Sequence, residues 1–203
     1  KAAWHEATDE LGQRFEISFN TYKPFACGIV IHPAIDACVQ LRDQGVLPEH
    51  IARLEIRVHS LVLELTGKKE PADGLQAKFS VYHGCAAGLI FGRAGEGEFD
   101  DAIVTRDDVV ALRRKVQAVV DPAVAEDAVL LVAELINGRR IELRVDHAIG
   151  SLERPLSETE LDDKFDHLAA PVIGATRADA LKQACRGAAA LGDMAELALA
   201  TRP

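Results

Sequence analysis

Aromatic residues, paired cysteines, long apolar runs and clustered positive charge are all scarce in this sequence, and each scarcity closes off a class of function. Only 5% of the residues are aromatic in a chain that is 48% hydrophobic, so the core is built mainly from Ala, Val, Leu and Ile. No apolar run approaches the roughly 18 residues a bilayer demands, so no membrane partner is expected. The four cysteines, Cys27, Cys38, Cys85 and Cys185, form no CxxC, and no His or Cys follows at zinc-finger spacing. They read as buried, reduced thiols, and the compartment as cytoplasmic. Lys and Arg number 23 against 32 Asp and Glu, giving a net charge of −9 and no basic stripe, so nucleic acid is not an expected partner. The opening Lys1-Ala2-Ala3-Trp4-His5-Glu6 has neither the apolar region of a secretory signal nor an initiating Met, so the protein is expected to begin upstream.

The generic catalytic signatures are missing too. There is no G-x-S-x-G, no Walker A, no H-E-x-x-H and no G-x-G-x-x-G after a strand. Gly92-Arg93-Ala94-Gly95-Glu96-Gly97 is glycine-rich in composition only, and reads as a flexible connection after a helix. No cluster of carboxylates and histidines has metal-ligand spacing, so neither metal nor other cofactor is required.

What is present is a pattern of interleaved elements in 203 residues, one large domain or one and a half small ones. Residues 1–12 read as a helix ending at Gly12, and Phe15-Glu16-Ile17-Ser18-Phe19 alternates like a half-buried strand. A helix is predicted from Pro33 to Asp43, closed by Gly45. Residues 53–59 alternate with period two, the clearest single strand. An Ala/Gly-rich apolar segment from Phe79 to Phe91 suggests a buried helix in close contact with other backbone, and a charged helix is expected from Asp107 to Val119. Asn137-Gly138 between Val129–Ile136 and Ile141–Val145 predicts a hairpin with a type I′ turn. Ser157-Glu158-Thr159-Glu160 is a capping box opening a helix through Leu168; after Pro171 an Ala-rich helix from Arg177 to Leu191 and a last short helix follow. The fold class expected is α+β, a mostly antiparallel sheet with helices packed on one face.

One segment stands out chemically: Tyr22-Lys23-Pro24-Phe25-Ala26-Cys27-Gly28-Ile29-Val30-Ile31-His32-Pro33-Ala34-Ile35-Asp36-Ala37. Lys23 ends a predicted strand and is followed by a nearly uncharged stretch; His32 stands at the mouth of a helix. A partly desolvated ammonium suits proton abstraction beside a carboxylate, or binding of that carboxylate. A histidine at a helix N-terminus tends to stay neutral and serves as acid or base. On spacing alone, an exposed lysine and a capping histidine explain the same residues.

This segment resembles the MmgE/PrpD family, whose C-terminal half carries a lysine-proline-aromatic stretch followed by H-x-x-I-D-A. Three further stretches match in order: Ala77-Lys78-Phe79-Ser80-Val81-Tyr82-His83, the turn Asn137-Gly138-Arg139, and Gly150-Ser151-Leu152-Glu153-Arg154-Pro155-Leu156-Ser157 with Lys164-Phe165. The resemblance covers about residues 12–200. It implies that residues 1–170 form the family's C-terminal α+β domain and that 171–203 return as helices to an absent N-terminal helical domain, with the active site between the two. It also implies a homodimer and a cofactor-independent lyase or isomerase acting on a small di- or tricarboxylate. By resemblance Lys23 is the active-site lysine, and His32 matches a widespread family histidine. The decarboxylase branch carries a histidine five residues after the lysine; here that position is Gly28, which puts decarboxylation in doubt. Tyr82 and His83 either line the cleft or sit satisfied in the core, and Lys78 either binds a carboxylate or snorkels. Asp36 reads as a first-turn acid favoured by the helix dipole, and Arg154 as a loop residue. His5, His50, His59, His147 and His167 read as structural or solvated. The alternative to an enzyme is a non-catalytic module that keeps the fold and only dimerises or binds a carboxylate.

Overall fold

The computed structural model describes residues 3–202. Their sheet has the order β2-β1-β3-β4, with β1 spanning Ile51–Val58, β2 Val116–Val120, β3 Val129–Leu135 and β4 Arg140–Val145. Strand β1 pairs antiparallel with β3, and β3 antiparallel with β4, while β1 and β2 run parallel. The alternation in β1 decides which face is covered. Leu54, Ile56 and Val58 are buried on one face; Arg53, Glu55 and Arg57 point the other way and pair with one another (Arg53–Glu55 2.7 Å, Arg57–Glu55 3.0 Å). In register, Leu54 lies beside Val116 and Ala133, and Ala133 beside Ile141, a continuous apolar row.

Two helices fill the buried face. Helix α1 (His32–Asp43) has Pro33 in its first turn, where the missing N–H costs nothing, and Gly45 at φ +84° closes it. Between β1 and β2 run α2 (Ser60–Thr66), α3 (Gly74–Ala77), α4 (Val81–Phe91), α5 (Asp101–Val104) and α6 (Asp107–Arg113). Ser80 caps α4 and Gly92, at φ +70°, ends it. Everything from Val81 to Leu89 is buried, as expected of a helix apolar all round. Its glycines let it lie directly on α1: a Cβ on Gly84 would sit 3.0 Å from Ile35 Cγ1, and one on Gly88 2.9 Å from the Ile35 carbonyl oxygen. Arg42 Nη1 of α1 donates to the Leu89 and Ile90 carbonyls, tying off the end of α4.

Several sequence expectations are corrected. Residues 116–120 are a strand, not the tail of the preceding helix: α6 stops at Arg113, and Leu54 N–H donates to the Lys115 carbonyl as the chain joins β1. The Phe15–Phe19 alternation is no strand either. Glu16–Phe19 is an exposed 3₁₀ turn that pairs with no strand among the described residues. Trp4–Ala7 is likewise a 3₁₀ turn, and residues 1 and 2 of the expected first helix fall outside those described. The hairpin forms, yet only Gly138 has positive φ (+82°), with its N–H donating to the Leu135 carbonyl and Leu135 N–H to the Arg139 carbonyl. That is a type I turn followed by a left-handed glycine, a three-residue loop rather than type I′.

The C-terminal part is helical. Helix α7 (Glu158–Ile173) begins at the Ser157–Glu160 capping box and runs through Pro171 instead of stopping at Leu168; Gly174, at φ +82°, ends it. Pro171 lacks the N–H that the His167 carbonyl would accept, and α7 absorbs this in its last turn. Helix α8 spans Ala175–Arg186 and α9 Ala195–Ala200. Only Ala178 and Leu181 of α8 are buried, and ion pairs Lys182–Asp166 (2.6 Å) and Arg186–Asp162 (2.7 Å) join α8 to α7. Among the described residues no helix is long and apolar enough to cross a membrane.

Candidate active site

The Tyr22–Gly28 segment has no helix or strand of its own before the 3₁₀ turn Ile29–Ile31 leads into α1, and it is held by two backbone carbonyls and one side chain from three other parts of the chain. Ala26 N–H donates to the Ala94 carbonyl (2.9 Å) and Gly28 N–H to the Lys78 carbonyl (3.2 Å). Lys164 Nζ, on α7, donates to the Lys23 carbonyl (2.6 Å). Beneath Lys23 lies Gly150 at φ +85°; a Cβ there would stand 2.5 Å from the Tyr22 carbonyl oxygen and 2.7 Å from Pro24 Cδ, so only glycine allows the contact.

The 147–154 loop that carries Gly150 is anchored by Asp36. This carboxylate is buried, accepts from Ile149 N–H (2.9 Å) and Gln40 Nε2 (3.0 Å), and pairs with Arg154 Nη1 (2.6 Å), which also reaches the His147 carbonyl (2.8 Å). Asp36 and Arg154 are therefore partners that dock loop to helix, more than a dipole acid and a surface loop residue. A buried carboxylate keeps its charge only with such donors.

Lys23, Lys78, Gly150's neighbour Ile149 and Lys164 thus come from separate stretches of sequence to one cavity of about 1200 Å³. Phe25, Phe79, Leu156 and Leu168 give it apolar walls; Lys23, Lys78, Arg93 and Lys164 bring positive charge, and Asp36, Glu96, Glu98, Asp100, Glu160 and Asp163 bring carboxylates. The cations differ in their company. Lys78 is paired with Glu96 (2.6 Å) and Arg93 with Glu98 (2.8 Å), whereas Lys23 Nζ donates to the Cys27 carbonyl (3.2 Å) and Lys164 to that of Lys23. These two ammonium groups rest on backbone carbonyls with no carboxylate partner among the described residues, so they are the cations of this cavity left to meet an anion.

His32 lies behind this wall. It is only 3% exposed, meets the Phe25 ring edge-on with centroids 5.3 Å apart, and its Nε2 has no partner among the described residues. Burial, followed by the charge of Lys23, pushes it down to about 4, so the imidazole is neutral at pH 7. Tyr82 and His83 do not line the cavity. Both are buried in the first turn of α4: His83 Nε2 sits 2.8 Å from the Glu98 carbonyl and its ring meets Phe99, while Tyr82 has Lys69 Nζ 5.9 Å above its ring. Burial lowers His83 and raises the Tyr82 phenol. Cys27 faces the cavity as a thiol that burial pushes up to about 12. Cys38 and Cys85 are buried as expected, but Cys185 is exposed.

Arg93 and His167 line the cavity, although the sequence puts Arg93 in a flexible glycine connection and His167 among the structural or solvated histidines. The segment read as a flexible glycine connection is pinned by buried Glu98, which accepts from Gly95 N–H (2.8 Å) and Arg93 Nε. For α7 a signal existed: Glu160, Asp163, Lys164, His167, Leu168 and Pro171 recur at helical spacing and all line the cavity. His50 and His59 do cap local turns, and His147 pairs with Asp127 (2.8 Å); the His5 side chain lies outside those described.

The profile of the MmgE/PrpD C-terminal domain matches residues 25–187, and the chain belongs to that family. It is similar to a 2-methylcitrate dehydratase of Escherichia coli K12, 26% identical over 163 residues, which covers 74% of this chain and 33% of that protein. Proteins of the same name from Salmonella typhimurium LT2 and Salmonella typhi are each 25% identical over 151 residues, covering 69% of this chain and 31% of theirs. The chain thus spans about a third of the length of these relatives.

Proposed function

We propose that this chain supplies the lysine-bearing wall of the active site of a lyase that dehydrates a small hydroxy-di- or tricarboxylate, 2-methylcitrate being the first candidate. The observation that carries the reading is the convergence of the Lys23, Lys78, Gly150 and Lys164 stretches on one cavity, where Lys23 and Lys164 have no carboxylate partner among the described residues. In such a reaction a base takes the proton α to a carboxylate, the C–H electron pair forms the C=C bond, and the hydroxyl leaves as water on taking a proton. Cations that hold the carboxylates stabilise the enolate-like charge as it develops. Lys23 is assigned to proton removal or to the carboxylate beside it. His32, buried and off the cavity surface, is assigned to orienting the Lys23 segment. Gly28 leaves no imidazole on the wall five residues after the lysine, which favours dehydration over decarboxylation. Tyr82 and His83 are assigned to the support of this wall, and the opposite wall to the remainder of the full-length protein, which by family resemblance is a homodimer.

The test is a panel of branched hydroxy-di- and tricarboxylates offered to the full-length protein, followed by ultraviolet absorbance of the α,β-unsaturated carboxylate formed. Turnover of at least one is expected. Binding without turnover across the panel would support a carboxylate-binding module instead.

A further inference from the structure

Arg93 offers something that neither the lysines nor the family motifs supply. Its guanidinium is held at two points: Nε donates to Glu98 Oε1 at 2.8 Å, and Nη1 lies 3.0 Å from His167 Nε2. The His167 Nδ1 is 2.6 Å from the Asp163 carbonyl, so Nδ1 carries the proton and Nε2 is left to accept from Arg93. Glu98 is itself fixed, being buried and accepting from Gly95 N–H. The remaining nitrogen, Nη2, makes no hydrogen bond among the described residues, and Arg93 lines the cavity with a side chain 58% exposed. An arginine that merely fastened its loop to α7 would need Nε and Nη1 only. An oriented guanidinium with free N–H groups, in a cavity that also holds the two lysines without carboxylate partners, matches the fork geometry of a carboxylate.

We infer that Arg93 binds a second carboxylate of the substrate, distinct from the one Lys23 engages, and so makes two or more carboxylates a requirement of the site. This rests on the carboxylate-lyase reading above. It also explains why His167 and Asp163 face the cavity: they position the arginine. Lysine in its place would keep the charge but could not hold Glu98 and His167 while presenting parallel N–H groups to the ligand.

The experiment is calorimetric titration of the full-length protein with unreactive probes that lack a hydroxyl: propane-1,2,3-tricarboxylate, glutarate and butyrate. Arg93→Ala should weaken the tricarboxylate and glutarate by at least ~10-fold, the scale of one charge-assisted contact, and butyrate by less than ~2-fold. Arg93→Gln, which keeps an amide donor for Glu98 and guards against a folding defect, should behave like Arg93→Ala, and Arg93→Lys should recover little. In turnover, KM should rise with kcat nearly unchanged, the mark of a contact equal in ground and transition states. Wild-type binding of the polycarboxylates with both Arg93 variants unaffected, or equal weakening of butyrate, overturns this inference alone. No binding of any probe by the wild type overturns it together with the lyase reading.

Discussion

A single imidazole gives a test of how the wall behind the cavity is built. His32 is neutral in the fold because burial and Lys23 both oppose its charge, whereas in the unfolded chain it titrates near its ordinary 6.5. Below 6.5 the unfolded chain takes up a proton that the folded one refuses, so stability falls as pH drops and the loss levels off once pH is below about 4. The gap from 6.5 to about 4 corresponds to a loss of about 3 kcal/mol in all, with about 2 kcal/mol of it gone by pH 5. Thermal midpoints at pH 7.5 and 5 should therefore separate more in the wild type than in His32→Asn; equal separations would mean that His32 is hydrated in the fold. At this scale legibility was uneven. Lys23 and Lys78 could be picked out because short motifs flank them, and both line the cavity. Arg93 and His167 could not, since their meaning lies in a contact between residues 74 positions apart. Tyr82 and His83 were read as alternatives, and their burial in α4 follows from the helix being apolar on every side.

Among the elements, helices α1 and α4 lie in close contact, and glycine makes it possible. Gly88→Ala would ordinarily gain about 1 kcal/mol of helix propensity. Here the new methyl would press on the Ile35 carbonyl at 2.9 Å, backbone that cannot rotate away. Overpacking against backbone falls at the upper end of about 1–3 kcal/mol, a net loss of about 2 kcal/mol after the propensity gain, so the substitution should lower the thermal midpoint by about 4–8 °C. Gly97→Ala, with nothing within 4 Å of the added carbon, should leave it within about 1 °C. A neutral or stabilising Gly88→Ala would show that the helices are farther apart. The Ala/Gly-rich run announced this contact, as the alternation at 53–59 announced β1 and the capping box α7. Strand β2 stayed hidden because it is short and takes its pairing from β1, Leu54 lying opposite Val116, so the local pattern merely continued a helix. The Phe15–Phe19 alternation misled for the converse reason: periodicity allows a strand, but only a neighbouring edge makes one.

On the scale of the molecule, four stretches of sequence matched one family in order, and folding brings three of them to the same cavity. That order is why the family and fold class could be read so early, while the ligand-facing geometry waited for tertiary contacts. At the cavity, apolar side chains stand in the open: Phe79 and Leu168, which line it, and Tyr22 and Val172, which adjoin its lining residues Lys23 and Pro171, are all about half exposed or more. Exposed apolar surface beside a site, in a chain spanning a third of its relatives' length, fits a wall that is covered in the full-length protein. The 203-residue chain alone is accordingly expected to bind an apolar fluorescent dye and to show no turnover above a Lys23→Ala control; clear turnover would make the cavity self-sufficient. The central claim, that the cavity around Lys23 is where a carboxylate loses its neighbouring proton, is tested most directly by kcat/KM of the full-length protein and its Lys23→Ala and Lys23→Arg variants. The alanine variant should lose at least ~10²-fold with its thermal midpoint nearly unchanged, and arginine should restore little, because a guanidinium holds a carboxylate but does not take a proton. Near-full activity in Lys23→Arg would reduce Lys23 to a charge clamp, and near-full activity in Lys23→Ala would contradict the account.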